Sequence, residues 1–295
     1  MVQSVLEGAY VDGRNPRPCR DPHCGMGTLM SPMIGRGVKT FLLIAAPRTT
    51  VIRHWVQRRS VDLSAAVIDG VFPPRCAGCD RRGRWLCPDC EAAWEPFASP
   101  WCVRCGVPDH IACCCADMPE TLHRARCLGP LDGWLHNAIV HLKYHGESAR
   151  AGHLGDLLGR SMLNDSPLDV DGIVPVPLHP RRVRERGYNQ AELLARRAAT
   201  VSGVPLVQVL HRVRDTPRQV GSTLAQRQSN VAGAFRADAR GCAGMRLLVV
   251  DDVLTTGATV ASCADALRAA GATSVSVLTL GRQIGGTNAD LTPPR

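Results

Sequence analysis

Two adjacent carboxylates near the end of the chain are the residues best suited to chemistry. Asp251 and Asp252 follow the apolar run 247–250, which predicts a short strand buried on both faces. Ionised carboxylates accept hydrogen bonds from hydroxyl groups, and they cannot share a site with phosphate oxygens. The pair therefore suits a ligand that carries neighbouring hydroxyl groups.

The loop after these acids suits a phosphate. Its residues, several of them small or hydroxyl-bearing, are Val253, Leu254, Thr255, Thr256, Gly257, Ala258 and Thr259. Apolar residues at helical spacing follow, so the loop should open a helix whose first N–H groups and dipole attract anions. Acids and loop together suit a ribose 5-phosphate. The alternative is an ordinary turn in which the two acids only cap the helix.

A dense group of cysteines forms the second candidate site. Nine of the 14 cysteines lie between Cys76 and Cys115, and the first four are Cys76, Cys79, Cys87 and Cys90. Two such CxxC pairs can place four thiolates around a tetrahedral zinc ion. A disulfide cluster is the alternative, but it needs an oxidising compartment, and no convincing secretory signal is present.

The same cysteine spacing begins again further along the chain. Cys102, Cys105 and Cys113 repeat the intervals of the first group. The sequence offers three candidates for the fourth ligand of this second predicted zinc site, Cys115, Cys114 and His110, and does not decide between them. The repeat predicts a double zinc-binding segment ahead of the acidic pair.

Composition sets the class of protein. The chain has 295 residues, 45% of them hydrophobic and 21% charged, with a formal net charge of +9. These values are typical of a soluble globular protein, and no stretch approaches the ~20 apolar residues that span a bilayer. The positive charge suits phosphorylated ligands or nucleic acid. We therefore expect a cytoplasmic protein whose cysteines stay reduced.

The intervening sequence predicts the elements that position these residues. Apolar stripes at 134–142 and 154–162 indicate two helices, and the run DGIVPVPLH at 171–179 indicates a strand that its prolines end. A basic loop should follow at 179–186. Asn189 then opens a helix that runs to Gly203. Further strands are expected at 206–213 and 273–280, with a long polar connection at 214–230.

Several of these motifs together resemble the ComF family of phosphoribosyltransferase-like proteins. The motifs are DGIVPVPLH, RERGYNQA at 184–191, Gln219 with Arg227 and Asn230, GAF at 233–235, VDDVLTTGAT at 250–259, and the cysteine-rich segment before them. The resemblance runs from about residue 61 to residue 280. It implies an α/β fold of the type I phosphoribosyltransferase class, a Rossmann-like parallel sheet of about five strands preceded by a small zinc-ribbon domain.

The resemblance also implies a ligand. In this family the paired acids hold the ribose hydroxyls of phosphoribosyl diphosphate (PRPP), and the loop holds its 5-phosphate. On the same rim of the sheet, the segment that takes the diphosphate corresponds to Pro177, Leu178, His179 and Arg181, and Lys143 is a further candidate. Magnesium normally travels with PRPP. The acceptor of the phosphoribosyl group is not implied.

Two functions follow from the resemblance. One is a transferase that joins PRPP to an acceptor, with Asp251 and Asp252 as its central acids. The other is a catalytically silent protein that senses PRPP, or that works with single-stranded DNA and a helicase-like competence protein during DNA uptake. Release of diphosphate from PRPP separates the two.

The domain boundaries follow from these segments. We expect residues 1–60 to be a disordered leader, or to result from a start codon assigned too early. Residues 61–120 should form the zinc ribbon. The phosphoribosyltransferase domain should occupy 121–283, with a flexible tail at 284–295.

Overall fold

The computed structural model describes residues 73–99, 101–102, 104–108, 118–164, 169–215 and 231–284. The predicted leader, the candidate ligands from His110 to Cys115, most of the polar connection and nearly all of the predicted tail lie outside these ranges.

Helices and strands alternate along most of the described chain. The helices are α1 (Pro88–Ala92), α2 (Gly133–Tyr144), α3 (Arg150–Asn164), α4 (Pro180–Arg186), α5 (Gln190–Ser202), α6 (Ala239–Cys242) and α7 (Ala258–Ala269). The strands are β1 (Arg124–Pro130), β2 (Gly172–Pro175), β3 (Leu210–Arg212), β4 (Phe235–Ala237), β5 (Arg246–Leu254) and β6 (Ser274–Arg282). Of the described helices, none is long and apolar enough to cross a membrane.

The main sheet is parallel, as predicted. Its strands lie in the order β1-β6-β5-β2, and β5 occupies a central position, with Leu247 in register with Val275 on β6 and with Gly172 on β2. Beyond β2, Leu206 makes one parallel bridge to Ile173. Leu206 is the first residue of the strand that the sequence predicts at 206–213.

Both faces of the sheet are covered, which gives the α/β architecture that the sequence predicts. Leu247 and Val249 of β5 belong to the apolar core that includes Leu267 of α7. Leu248 and Val250 belong to the core on the other face, formed with α2, α3 and α5. The apolar run of β5 is continuous because its residues alternate between two buried layers.

The predicted helices at 134–142, 154–162 and 189–203 are confirmed as α2, α3 and α5. Asn189 starts α5 in the expected way, because its side-chain oxygen accepts a hydrogen bond from the Ala191 N–H at 3.1 Å. Gly203 ends the helix in the left-handed conformation, with φ 76°.

The basic segment 179–186 is a helix, so its prediction as a loop is wrong. His179 is the N-cap, Pro180 is the first helical residue, and Gly187 ends α4 with φ 86°. Proline at the start and glycine after the end are local helix signals. The prediction missed them because α4 has no fully buried residue, and therefore no clear apolar stripe.

The predicted strand at 206–213 is divided. Leu206 contributes one bridge to the main sheet, whereas Leu210–Arg212 form β3, which pairs antiparallel with β4 in a separate two-stranded sheet. The alternating pattern indicates extended backbone correctly, but it carries no information about which neighbour each half pairs with.

The repeated cysteine spacing corresponds to a repeated backbone turn. The Cys76 carbonyl accepts from the Asp80 N–H at 2.9 Å, and the Cys102 carbonyl accepts from the Gly106 N–H at 2.8 Å. Asp80 and Gly106 occupy equivalent positions, and both have positive φ, 61° and 70°. The two CxxC knuckles therefore share this hydrogen bond and a positive φ at its donor residue.

Candidate functional site

The two predicted acids lie within β5 rather than after it, because this strand runs on through Leu254. Successive side chains along a strand start toward opposite faces. Asp252 follows Val250 toward α2 and is buried, with 3% of its surface exposed. Asp251 follows Val249 toward α7 and is partly exposed.

The surroundings of Asp251 disfavour its charge. Burial of the carboxyl group and the neighbouring Asp252 charge raise the pKa of Asp251 well above its usual range. The Asp251 charge in turn adds to burial in raising the pKa of the Cys263 thiol on α7. One Asp251 oxygen also accepts a hydrogen bond from the Asp252 N–H at 2.9 Å.

Asp252 has a cation as its partner. Its carboxylate forms an ion pair with the ammonium group of Lys143 at the end of α2, and the two side chains are 4% and 8% exposed. Burial would raise the pKa of Asp252, but Lys143 outweighs it and the pKa is lowered. The Tyr188 hydroxyl donates to the Leu142 carbonyl at 2.5 Å, and this bond holds the end of α2 that carries Lys143.

The loop between β5 and α7 has the predicted form. Thr255 and Thr256 form a bend, Gly257 is the N-cap of α7 with φ 79°, and the helix starts at Ala258. Glycine adopts this left-handed conformation readily. Thr255, Thr256 and Thr259 are partly exposed, whereas Val253, Leu254, Gly257 and Ala258 are buried. The loop therefore presents hydroxyl groups at a helix amino terminus.

A cleft of about 800 Å³ opens beside the Lys143 side chain. Its lining includes four cations and two acids, with Tyr144 and Gly146 between them. The charged lining residues are Lys143, Arg181, Arg182, Arg186, Glu185 and Asp215. The surplus of positive charge suits an anion of small-molecule size.

The rim formed by residues 177–179 follows β2, the strand that pairs with β5. The Val176 N–H donates to the Val250 carbonyl at 3.0 Å, so the chain leaves β2 alongside β5. Ligands of open α/β sheets bind at the carboxyl ends of such neighbouring strands. The rim and the loop thus follow neighbouring parallel strands at one edge of the sheet, Asp252 is paired with Lys143, and Lys143 and Arg181 both line the cleft.

Sequence reasoning missed several residues of the cleft, among them Arg186 and Asp215. Arg186 lies over the Tyr144 ring, with its guanidinium carbon 5.5 Å from the ring centroid. Asp215 has a carboxylate oxygen 3.8 Å from His179 Nδ1 and 3.8 Å from Arg181 Nη1. The RERGYNQA motif contains Arg186 and could have indicated it. Asp215 begins the polar connection, where the sequence has no pattern that marks a single residue.

The first cysteine group could hold a metal ion. The sulfur atoms of Cys76, Cys79, Cys87 and Cys90 all lie within 4.8 Å of one another, and Cys79 and Cys87 are 3.7 Å apart. Tetrahedral zinc with bonds of about 2.3 Å separates its sulfur ligands by roughly 3.8 Å. The neighbouring Cys87 thiol, burial and the other sulfurs raise the pKa of Cys90 to about 12, since four sulfurs this close cannot all ionise without a cation.

The second cysteine group is described only in part. Cys102 and Cys105 are buried, with 6% and 0% of their surface exposed, in the core that includes β1. Cys113 and Cys115 lie outside the described residues, as do the alternatives Cys114 and His110. The second predicted metal site stays a prediction.

Comparison with known proteins identifies the family. Residues 183–294 match the phosphoribosyl transferase domain family. The chain is 33% identical over 235 residues to DNA utilization protein YhgH of Salmonella typhimurium, covering 78% of this chain and 96% of that protein. It is 25% identical over 205 residues to competence protein ComFC of Bacillus subtilis, covering 66% and 83%. The chain belongs to the ComF family of phosphoribosyltransferase-like proteins.

The fold class of this ComF-family chain is that of a type I phosphoribosyltransferase, an α/β fold built on a parallel sheet. Among solved structures, the Bacillus subtilis glutamine phosphoribosylpyrophosphate amidotransferase, complexed with ADP and GMP, is 25% identical to this chain. That match covers 44% of this ComF-family chain and 25% of the amidotransferase chain, with a TM-score of 0.32.

Proposed function

We propose that this ComF-family protein binds PRPP or another ribose 5-phosphate compound between the β5–α7 loop and the cationic cleft. The observation that carries the proposal is the juxtaposition of two kinds of group. Asp251 and Asp252 lie near the end of β5, and the ion pair between Asp252 and Lys143 connects these acids to a cleft lined by four cations. A sugar diphosphate carries hydroxyl groups, which suit the acids, and negative charge, which suits the cations.

Each part of PRPP has a candidate partner. The 5-phosphate suits the hydroxyls and N–H groups of residues 255–259, at the start of α7. The ribose hydroxyls suit the carboxylate acceptors, and the diphosphate suits Lys143 and Arg181 with the rim at 177–179. A magnesium ion carried by the diphosphate would keep most of its waters and be held mainly by oxygens of the ligand.

If the protein is a transferase, the reaction is displacement of diphosphate from the ribose C1 by an acceptor. The transition state resembles an oxocarbenium ion, and the protein's contribution is to position the sugar and neutralise the leaving diphosphate. Lys143 and Arg181 are the cleft residues suited to that charge. A catalytically silent, PRPP-sensing protein would use the same contacts without an acceptor, and release of diphosphate with a panel of bases distinguishes them.

Calorimetric titration with PRPP and magnesium tests the binding proposal. The variant D251N/D252N keeps the size of both side chains but weakens acceptance from the ribose hydroxyls, by roughly 1.5–3 kcal/mol for each charged hydrogen bond lost. Asp169→Asn is the matched control, because Asp169 is 80% exposed and precedes β2 at the other edge of the sheet. Equal PRPP affinity in wild type and D251N/D252N would reject the site.

The first cysteine group is proposed to hold structural zinc. The supporting observations are the 3.7 Å sulfur separation and the N–H groups of Gly78 and Cys87, which point at the Cys76 sulfur at 3.4 Å and 3.3 Å. Such donors stabilise metal-bound thiolates, and closed zinc sites contribute directly to folding. Protein purified under reducing conditions should contain at least one zinc ion per chain, and a metal-free folded protein would contradict this.

A second candidate function is contact with single-stranded DNA through α4. It is favoured by four arginines on this seven-residue helix, Arg181, Arg182, Arg184 and Arg186, and by relatives named for DNA utilization and competence. Phosphate contacts make affinity for a labelled oligonucleotide fall with salt, with a log–log slope of about −0.7 per phosphate. Neutral substitutions of the four arginines should reduce that slope, and an unchanged slope would remove α4 from the interface.

A further inference from the structure

Because Asp252 forms an ion pair with Lys143, the two adjacent acids differ in what they can bind. We infer that Asp252 is a positioning residue, which holds Lys143 charged and oriented at the wall of the cleft, and that Asp251 is the acid available to ribose hydroxyls. This inference deepens the proposed function and rests on it. It assigns different roles to two acids that the sequence motif treats alike.

Burial is the first argument. The Lys143 and Asp252 side chains are 8% and 4% exposed. A lysine removed from water without a counter-charge loses its proton readily. Asp252 is therefore the counter-charge that compensates the burial of the Lys143 ammonium group, and that group is the one suited to a diphosphate.

Direction is the second argument. Asp252 starts from the face of β5 that packs on α2, where Lys143 lies, whereas Asp251 starts from the α7 face. α7 is the helix whose amino terminus follows the hydroxyl-rich loop. A ribose whose 5-phosphate sits at that loop therefore meets Asp251 on its own side of the sheet, and Asp252 faces the diphosphate side.

The anchoring of Lys143 is the third argument. Lys143 is the penultimate residue of α2, where the chain turns toward Gly146 at the cleft. Tyr188 bonds the Leu142 carbonyl, and so fixes the backbone next to Lys143. The backbone and the Asp252 carboxylate thus fix both ends of the lysine side chain, which gives one orientation for its charge.

The test uses two halves of the ligand as separate probes. Calorimetry measures the affinity for inorganic diphosphate with magnesium, which has no ribose, and for ribose 5-phosphate, which has no diphosphate. Asp252→Asn should weaken diphosphate binding by about tenfold to a hundredfold, as loss of one charged contact does, and should leave ribose 5-phosphate nearly unchanged. Asp251→Asn should weaken ribose 5-phosphate more than diphosphate.

The pH profile of diphosphate binding gives a readout that general damage to the fold would not produce. In Asp252→Asn, Lys143 lacks its counter-ion, so the ratio of its diphosphate affinity to that of wild type should fall as the pH rises; the ratio cancels the titration of diphosphate itself. Asp252→Glu keeps the charge and should restore the wild-type profile. Asp169→Asn is the control for a lost surface acid.

A double-variant comparison covers the case in which Asp252→Asn does not fold. The pair K143M/D252N removes both charges and should therefore fold, whereas Lys143→Met alone leaves the buried Asp252 carboxylate without its cation. If Asp252 acts through Lys143, both should bind ribose 5-phosphate equally. A further loss of ribose 5-phosphate affinity in K143M/D252N would overturn the inference and make Asp252 a direct ribose ligand. If wild type binds neither probe nor PRPP, the proposed function fails and the inference fails with it.

Discussion

At the residue scale, Asp251 and Asp252 show how adjacent identical residues acquire different properties. The pKa of Asp251 is raised by burial and by its neighbour, whereas Lys143 lowers the pKa of Asp252 despite burial. The sequence indicated the acids and named Lys143 as a candidate. It could not pair Lys143 with Asp252, because the two residues are over a hundred positions apart and only the packing of α2 on β5 joins them.

His153 on α3 should make stability depend on pH. Burial lowers its pKa below the ordinary 6.5, and its Nε2 is buried without a hydrogen-bond partner among the described residues. The unfolded chain therefore takes up a proton more readily than the folded one. The contribution of uncharged His153 to the free energy of unfolding is complete above about pH 6.5, and it falls as the pH drops below that value.

His153→Gln removes this titration. Urea unfolding at about pH 7.5 and about pH 5 should show a larger loss of stability for wild type than for the variant. Equal losses in the two proteins would contradict the assignment.

At the element scale, residues with a strong pattern were predicted well and residues that depend on their neighbours were not. The stripes of α2 and α3 and the apolar run of β5 are local signals, and the structure confirms them. Helix α4 was missed because it lies on the surface without an apolar stripe. The division of 206–213 between two sheets depends on the partners β2 and β4, which the segment itself does not encode.

Close contact between α3 and α5 gives a prediction at this scale. A side-chain carbon at Gly155 would lie 2.6 Å from Arg197 Cβ, and one at Gly159 would lie 2.5 Å from Val201 Cβ and 3.1 Å from the Ala198 carbonyl. Gly155→Ala and Gly159→Ala should each destabilise the protein by about 1–3 kcal/mol, because the helices must move apart.

Gly152 is the matched control on the same helix, since nothing lies within 4 Å of the added carbon. Gly152→Ala should stabilise by about 0.5–1 kcal/mol through the helix preference of alanine. Thermal or urea unfolding of the three variants measures both signs, and a destabilising Gly152→Ala or neutral Gly155→Ala would refute the packing argument.

At the scale of the whole molecule, the first cysteine knuckle is tied to the wall of the cleft. The buried Arg150 guanidinium donates to the Trp85 carbonyl at 3.2 Å and to the Arg75 carbonyl at 3.0 Å, both beside the cysteines. Arg150 also pairs with Glu147, next to Gly146 of the cleft. The α2–α3 turn thus joins the cysteine cluster to the region of Lys143.

Metal removal should therefore lower the affinity for PRPP as well as the stability of the first knuckle. Chelation under reducing conditions is expected to lower both the melting temperature and the PRPP affinity. Arg150→Met should retain the metal but lose roughly 1–3 kcal/mol of stability, because the Trp85 and Arg75 carbonyls lose their donor and Glu147 loses its cation. Arg160→Met, an exposed arginine of the same helix, should have little effect. PRPP affinity unchanged after metal removal would show that cluster and cleft are independent.

A crystal structure of the protein with PRPP and magnesium would show directly whether PRPP binds between the β5–α7 loop and the cationic cleft. We expect the 5-phosphate at residues 255–259, the ribose hydroxyls at Asp251, and the diphosphate in the cleft against Lys143, which still pairs with Asp252. Ligand bound elsewhere, or a cleft left empty at saturating PRPP, would contradict it.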